Sequence, residues 1–374
     1  MSPDDLTAEA ERQLRICTAC MYCDGLCPVF PAIDNQHRFE LSDLAYLSNL
    51  CHNCRGCWSV CQYTPPHPFA INLPTTLAAL RQRSYADYLW PAALGHAFRR
   101  PFLSIAVVVS TALLFTLAAV LLSTSPAELF GADDSAGAFY RVLPWPMMAG
   151  AAGASLLWAM LCIALATVRY WRATAPPLPT NAILQALRPA FRDIVTLRHL
   201  GGGGPGCTDI DERPSHQRRI AHHVMVAGCM GTVLSTVVAA IYHKGFGWLA
   251  PYPLLSLPVM LGGVGGLAML VGIGGLLTIE QRADRQPSDP HEAQLNVAFL
   301  ILLALVTLSG LAVLALRETA AMGLLLILHL GLVFGFFLAL PFTKAIHAPF
   351  RAAALLRAAA EAAISRPTAR KPGD

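Results

Sequence analysis

From about residue 100 onward, apolar residues run without the polar interruptions of an amphipathic helix. Six stretches are long enough to cross a bilayer, at about 102–122, 146–168, 222–242, 254–279, 295–316 and 320–341. Segments such as Phe299–Leu316 and Gly323–Leu340 are apolar all round, unlike the half-polar surface helices of a large soluble domain. The glycines of 262–275 predict a helix packed closely on a neighbour rather than a nucleotide loop. Before residue 100 the pattern changes. Leu41–Leu50 is a short apolar-periodic stretch, so residues 1–75 predict a small helical module. Pro65, Pro66, Pro68 and Pro74 mark a linker. Residues 76–100, with RQRSYADYLW and then HAFRR, predict an amphipathic juxtamembrane helix whose Arg and aromatic side chains suit the headgroup region. The layout continues with two membrane helices at 101–168, a polar loop at 169–220, a four-helix bundle at 221–347 and a tail at 348–374. No internal repeat is visible.

Charge orients this layout. Mean hydropathy is +0.50, and charged residues make up only 13% of the chain. With the N-terminus inside, the inner segments Arg81–Arg100, Arg169–Arg219, Arg282–Arg285 and Lys344–Lys371 carry four, eight, two and six Lys or Arg. The outer connections hold only Arg141, Lys244 and Arg317. That bias predicts both termini in the cytoplasm. The start of the chain, with Asp4, Asp5, Glu9 and Glu11, has no apolar core of a signal peptide. A net charge of +4 then reflects topology and gives no reason to expect nucleic acid as a partner.

The module carries the chemistry. C-x2-C-x2-C-x3-C occurs at Cys17, Cys20, Cys23 and Cys27, followed by Pro28, and again at Cys51, Cys54, Cys57 and Cys61. This is the bacterial [4Fe–4S] run, in which three thiolates wrap one cubane and the fourth Cys ligates the opposite cluster. The spacing therefore assigns Cys17, Cys20, Cys23 and Cys61 to one cluster and Cys51, Cys54, Cys57 and Cys27 to a second. Disulfides do not suit a segment without an export signal, and zinc sites usually pair two C-x2-C units without the x3-C extension. Arg55, inside the second run, either tunes that cluster, meets a partner's acidic surface or is simply solvated. Cys162 and Cys229 read as small apolar residues of membrane helices.

Electrons held at a cytoplasmic cluster need an acceptor, which draws attention to the membrane histidines. His222 and His223 open the third span and His243 closes it; His329 lies toward the outer side of the sixth and His347 just past its inner end. Both separations correspond to roughly 27–31 Å of helix, so the histidine levels match. The third and sixth helices can thus ligate an inner haem b through His222 or His223 with His347, and an outer one through His243 with His329. Adjacent helical residues point about 100° apart, so one of His222 and His223 faces the iron, and the spacing serves either. An ionisable His329 within an apolar helix needs a functional or hydrogen-bonded reason. The loop Gly201–Gly204, Pro205, Gly206 and Cys207 lacks a preceding strand and a P-loop Lys, so a flexible loop is expected rather than a phosphate cradle. Cys207 is expected to be structural or to lie beside the inner haem. No hydrolytic array is present.

The segment HLGLVFGFFLAL-PFTKAIH (329–347) resembles the last helix of the respiratory nitrate reductase gamma subunit, whose matching histidines ligate two b haems. The partner histidines of that family are closer together than His222/His223 and His243 are here. A longer resemblance covers nearly the whole chain. The paired cysteine runs, HLGGGGPGCTDIDERPSHQRRIAHH (199–223), YHKGFGWLAPYPLLSLPVMLGGVGG (242–266) and the PFTKAIH tail look like the citrate/tricarballylate utilisation protein B family. That resemblance implies an electron-transfer protein of the bacterial inner (cytoplasmic) membrane. It implies that a soluble FAD-dependent dehydrogenase acting on a tricarboxylate is reoxidised, with electrons passing through clusters and haem to the quinone pool. The organic substrate then belongs to the partner.

The expected architecture is all-α: an α-helical two-cluster ferredoxin-like module, then a six-helix transmembrane domain with a four-helix haem b bundle. Whichever of His222 and His223 is free, or Glu280, is the candidate for proton delivery to quinone. Two other functions use the same residues: a quinol-oxidising subunit feeding a cytoplasmic reductase, and a haem-free, membrane-tethered iron–sulfur redox sensor.

Overall fold

The computed structural model describes residues 3–365 apart from His37 and residues 133–134; the last part of the expected tail, 366–374, lies outside the described residues. All regular structure among the described residues is helical, with one isolated bridge between Cys207 and Ser215. The N-terminal module contains α1 (Pro3–Cys20), α2 (Val29–Asp34), α3 (Leu41–Leu50), α4 (Gly56–Ser59) and α5 (Leu73–Tyr88). In α1, Leu6, Ala10 and Leu14 recur at four-residue spacing and face the core, while Glu9–Arg12 and Glu11–Arg15 pair outside. The helix α5 starts with Pro74 in its first turn and an Asn72 cap that accepts from the Thr75 N–H at 3.4 Å.

The membrane part comprises α6 (Pro101–Ser123), the short α7 (Pro126–Phe130) and α8 (Ala138–Val142), and α9 (Trp145–Thr174). An intervening α10 (Thr180–Val195) precedes α11 (Gln217–Phe246), α12 (Leu257–Arg282), α13 (Pro290–Leu316) and α14 (Met322–Ala339). The six long helices of this set, the last extended to Phe342, are each long and apolar enough to cross a membrane. Their large outward side chains, such as Leu114, Phe115, Leu122 and Val271, are exposed, as lipid contact allows. Glycines 228, 265 and 272 let α11 and α12 approach backbone to backbone: a Cβ on Gly228 would sit 2.4 Å from the Met269 nitrogen. The close packing expected of 262–275 is thus with α11.

Three elements differ from the sequence expectation. Residues 76–88 do not lie on a headgroup surface. They belong to α5, where Leu77, Leu80, Arg81, Ser84 and Tyr85 are buried in the module. The exposed amphipathic face is on α10, in the stretch expected to be a loop. Its Ala182, Ala186 and Ala190 are buried, while Leu184, Leu187, Phe191 and Val195 are exposed. The chain beyond residue 347 is α15 (His347–Ser365), whose Ala354 and Leu355 complete the module core with Leu14, Ile33, Leu44, Leu47 and Leu77. The physical reason is the same in each case. A stripe of apolar or small residues needs a partner, and sequence periodicity does not say which element provides it.

The sixth span also has wider contacts than a separate four-helix bundle would give it. The helix α14 packs on α6 and α9 as well as α13, whereas α11 packs chiefly on α12. Module and membrane helices then share a second core. Tyr85 and Leu89 meet Ala166, Tyr170, Leu295, Phe342, Ile346 and Phe350, with Tyr170 and Phe350 stacked 4.6 Å apart.

Candidate functional site

The two cysteine runs sit where helices give way to tight turns. Cys17 and Cys20 end α1, and left-handed Met21 and Gly25 bend the chain so that Cys23 and Cys27 turn back. Cys51 follows α3, and left-handed Asn53 and Arg55 lead Cys54 and Cys57 around before Cys61. Cys17, Cys20, Cys23 and Cys61 line one cavity; Cys27, Cys51, Cys54 and Cys57 line another. The fold therefore exchanges the fourth cysteine between runs. A third cavity is lined by Cys17, Cys23 and Cys61 of one quartet and Cys57 of the other, together with Phe30 and Trp58, so the quartets are neighbours.

Burial, with repulsion from Cys61, Cys23 and Cys20 behind it, pushes the Cys17 thiol up to about 12. Burial likewise raises Cys23 and Cys54 to about 11 and carries Cys27 and Cys57 well above the usual thiol range. Such thiols ionise together only if cations compensate them, which suits a metal-bound thiolate set. Backbone N–H groups of Asn53 and Tyr63 already donate to the sulfurs of Cys51 and Cys61, each at 3.4 Å. Among the described residues no three His, Cys, Asp or Glu close on one point as a single metal ion requires. The two cavities with four thiols each fit a multi-iron cluster better than zinc.

The second quartet is roofed by the glycine-rich loop. His199 and Gly202 line its cavity, Thr208 donates its N–H to the Cys54 carbonyl at 3.0 Å, and the Ser59 hydroxyl donates to Thr208 at 2.7 Å. His199 pairs with Asp193 at 3.2 Å and faces His52 across 5.7 Å. Gly206, at φ +130°, has no room for a side chain: a Cβ would lie 2.5 Å from the Ser215 nitrogen. This segment is a packed roof, not a flexible loop. Cys207 is structural within it, its thiol donating to the Leu200 carbonyl at 2.6 Å. Arg55 is not solvated; it is 2% exposed and bonds the Asp209 and Asp284 carbonyls and the Ser288 hydroxyl.

Below the same quartet lies a charged junction with the membrane helices. Both Arg81 and Lys344 bond one oxygen of Glu292 at 2.5 Å. Arg81 also donates to the Ser48 and Cys51 carbonyls, at 2.7 and 3.0 Å. Arg351 reaches the same Cys51 carbonyl at 2.9 Å. Arg218 pairs with Asp209 at 3.0 Å and donates to the Asn53 carbonyl at 3.0 Å. Burial pulls Lys344 down to about 8 against the opposing pull of Glu292, and burial with Arg81 beside it lowers Arg351.

The histidines divide by level. The rings of His222 and His347 lie with centroids 6.4 Å apart and their planes at 89°. Two metal–imidazole bonds of about 2 Å plus half a ring on each side need roughly that separation. The Nδ1 of His347 bonds the Lys344 carbonyl, which orients the ring and leaves Nε2 for a ligand. The Nδ1 of His222 is buried without a partner. His223 is engaged differently: its two ring nitrogens face the carbonyls of Arg219 and Val195, each at 3.0 Å. At the far level, His243 stacks on Trp145 at 4.7 Å, and His329 bonds the Ser309 hydroxyl at 3.0 Å over Gly310. These two are held on different helices, and among the described residues no ring contact joins them. The inner pair His222 and His347 is brought to a spacing that fits a haem, whereas His243, whose Nδ1 is also buried without a partner, and His329 show no such juxtaposition among the described residues. Glu280 accepts from the Asn296 amide at 3.5 Å.

Comparison with known proteins agrees with this two-part arrangement. Residues 10–87 match the model of the citrate utilization protein B Fer4-like domain, and residues 97–368 match that of citrate utilization protein B itself. The chain belongs to the citrate utilization protein B family. Citrate utilization protein B of Escherichia coli is 39% identical over 356 residues, covering 95% of this chain and 92% of the relative. No solved structure matches.

Within this family member, sequence reasoning missed the roof, the Arg81–Glu292–Lys344 triad and Arg351. Glu292 carried a usable signal, being a carboxylate at the start of an apolar helix that must find cations or stay out of the membrane. Arg351 carried none, because its role comes from α15 returning to the module.

Proposed function

We propose that this protein is a membrane electron-transfer component that reoxidises a soluble FAD-dependent dehydrogenase of the tricarballylate or tricarboxylate type and delivers the electrons to quinone. The observation that carries this reading is the exchange of Cys27 and Cys61 between the two cysteine cavities, the arrangement of a two-cluster ferredoxin. Each quartet would hold one [4Fe–4S] cluster, and His222 with His347 would hold one haem b; when bound, these groups supply one-electron steps between a two-electron flavin and a two-electron quinone.

The chain's own residues do the rest. Phe30 and Trp58, with Ile71, Leu73 and Pro74, give the space beside both quartets a largely apolar lining. The roof of His199, Gly202 and Thr208 shields the second quartet, and the Lys344 carbonyl orients His347. The basic residues of 81–100, 169–219, 282–285 and 344–371 support a cytoplasmic module on a bacterial inner membrane. The E. coli relative's name ties that protein to citrate utilization, and a tricarboxylate oxidised by a partner flavoprotein extends that chemistry here. The test is the dithionite-reduced minus air-oxidised spectrum of the detergent-purified protein, with iron and haem assays. A b-type haem signal with about eight non-haem irons per chain is expected. Iron–sulfur bleaching without haem would leave a cluster-only shuttle or sensor and remove the roles of His222 and His347.

A further inference from the structure

The junction beneath the second quartet contains an arrangement that is costly on its own. The guanidinium groups of Arg81 and Arg351 converge on one acceptor, the Cys51 carbonyl, at 3.0 and 2.9 Å. Arg81 is matched by Glu292. Arg351 is not: among the described residues its guanidinium donates to the Asn49 and Cys51 carbonyls and pairs with no carboxylate. Two like charges brought together in a buried place repel strongly unless an anion is close. Glu292 is already shared between Arg81 and Lys344, and the thiol set of Cys51, Cys54, Cys57 and Cys27, whose Cys51 carries the bonded carbonyl, adjoins as a further source of negative charge.

Cations otherwise dominate here. Arg55, Arg81, Arg218, Lys344 and Arg351 stand against Asp209 and Glu292 in direct contact, with Glu280 and Asp284 further out. The walls of the outer quartet's cavity, by contrast, include no arginine or lysine among the described residues. We propose that Arg351, with Arg81, sets the membrane-side quartet at a higher reduction potential than the outer one, so that electrons run inward. Positive charge and carbonyl-directed donors beside a cluster favour its reduced, more anionic state. In each transfer one electron would pass from the cluster held by the outer quartet, which is thereby oxidised, to the cluster held by the inner quartet, which is thereby reduced by one; reduced flavin would supply the electrons and quinone would take them. Arg351 is a positioning residue in this scheme, acting through Cys51. The inference rests on the cluster reading above and is independent of the haem.

The experiment is an electron-paramagnetic-resonance redox titration of the purified full chain, comparing the wild type with Arg351→Gln and Arg351→Lys. An aqueous dysprosium chelate, which relaxes the more exposed centre, assigns the signals. In Arg351→Gln the membrane-side signal should move to lower potential by the equivalent of about tenfold in its reduced-to-oxidised ratio, about 59 mV for one electron. The outer signal should stay in place, and Arg351→Lys should recover most of the shift. A loss of packing alone would not separate the two signals in this way. Equal movement of both, or of neither, overturns the inference and leaves the cluster reading standing. A reduced wild type without cluster signals overturns both.

Discussion

The outer and inner quartets come from one spacing written twice, yet they sit in different kinds of protein. The outer one is walled by residues between Ile16 and Ile71, and Tyr22 at its edge is 70% exposed. The inner one is closed by His199 and Gly202 from above and by Arg81, Arg351 and Glu292 from below, residues drawn from four separate stretches of chain. A motif that is local in sequence can thus make one centre close to the exposed surface of the module and another joined to the long apolar helices.

The most drastic way to break that comparison is to remove one centre at a time. Because the fourth cysteines cross over, Cys27→Ser should eliminate the inner centre although it lies in the first run, and Cys61→Ser the outer. Each should lose about half of the non-haem iron. Finding that Cys27→Ser removes the outer signal would sink the pairing. Next in size is the haem. His222→Ala should abolish the b-type signal while His223→Ala keeps it, since the ring nitrogens of His223 lie against two backbone carbonyls and His222 is the one beside His347.

Stability sharpens the contrast further. Glu292→Ala strands the buried Arg81 and Lys344 and should cost about 3–5 kcal/mol, read as early thermal loss of the inner centre. Its counterpart near the outer quartet is the surface pair Glu9–Arg12, 2.7 Å apart. There Glu9→Gln should cost no more than about 1 kcal/mol. Between these lies the roof. Gly206→Ala, crowded against Ser215, should cost about 1–3 kcal/mol and speed bleaching of the inner centre by air. Gly25→Ala in the outer turn has nothing within 4 Å, and only its left-handed backbone resists the change, so it should cost less.

How much of this was legible depends on the range of the interaction. The helix expected at Leu41–Leu50 is α3 with those same bounds, and the six apolar stretches each became a spanning-length helix. By contrast, the Arg and aromatic residues of 76–100 suggest a juxtamembrane helix at the headgroups, and its first part, 76–88, is instead buried in the module. Arg81 is 1% exposed, since Glu292 lies 211 residues away and meets it. The glycine-rich loop looked flexible for a related reason. Its partners, Cys54, Ser59 and Arg55, lie about 150 residues earlier in the chain.

Sequence alone determined the cysteine spacing and the six helices long and apolar enough to cross a membrane, because each depends on covalent spacing or hydropathy within one segment. The tertiary structure decided which histidine of the 222/223 pair lies beside His347, which quartet abuts the membrane, and where the charges gather. Those outcomes depend on α10, α15 and the 196–216 segment folding back over the module. A buried charge or an unfilled apolar stripe states only that a partner is needed, and packing between distant segments selects it.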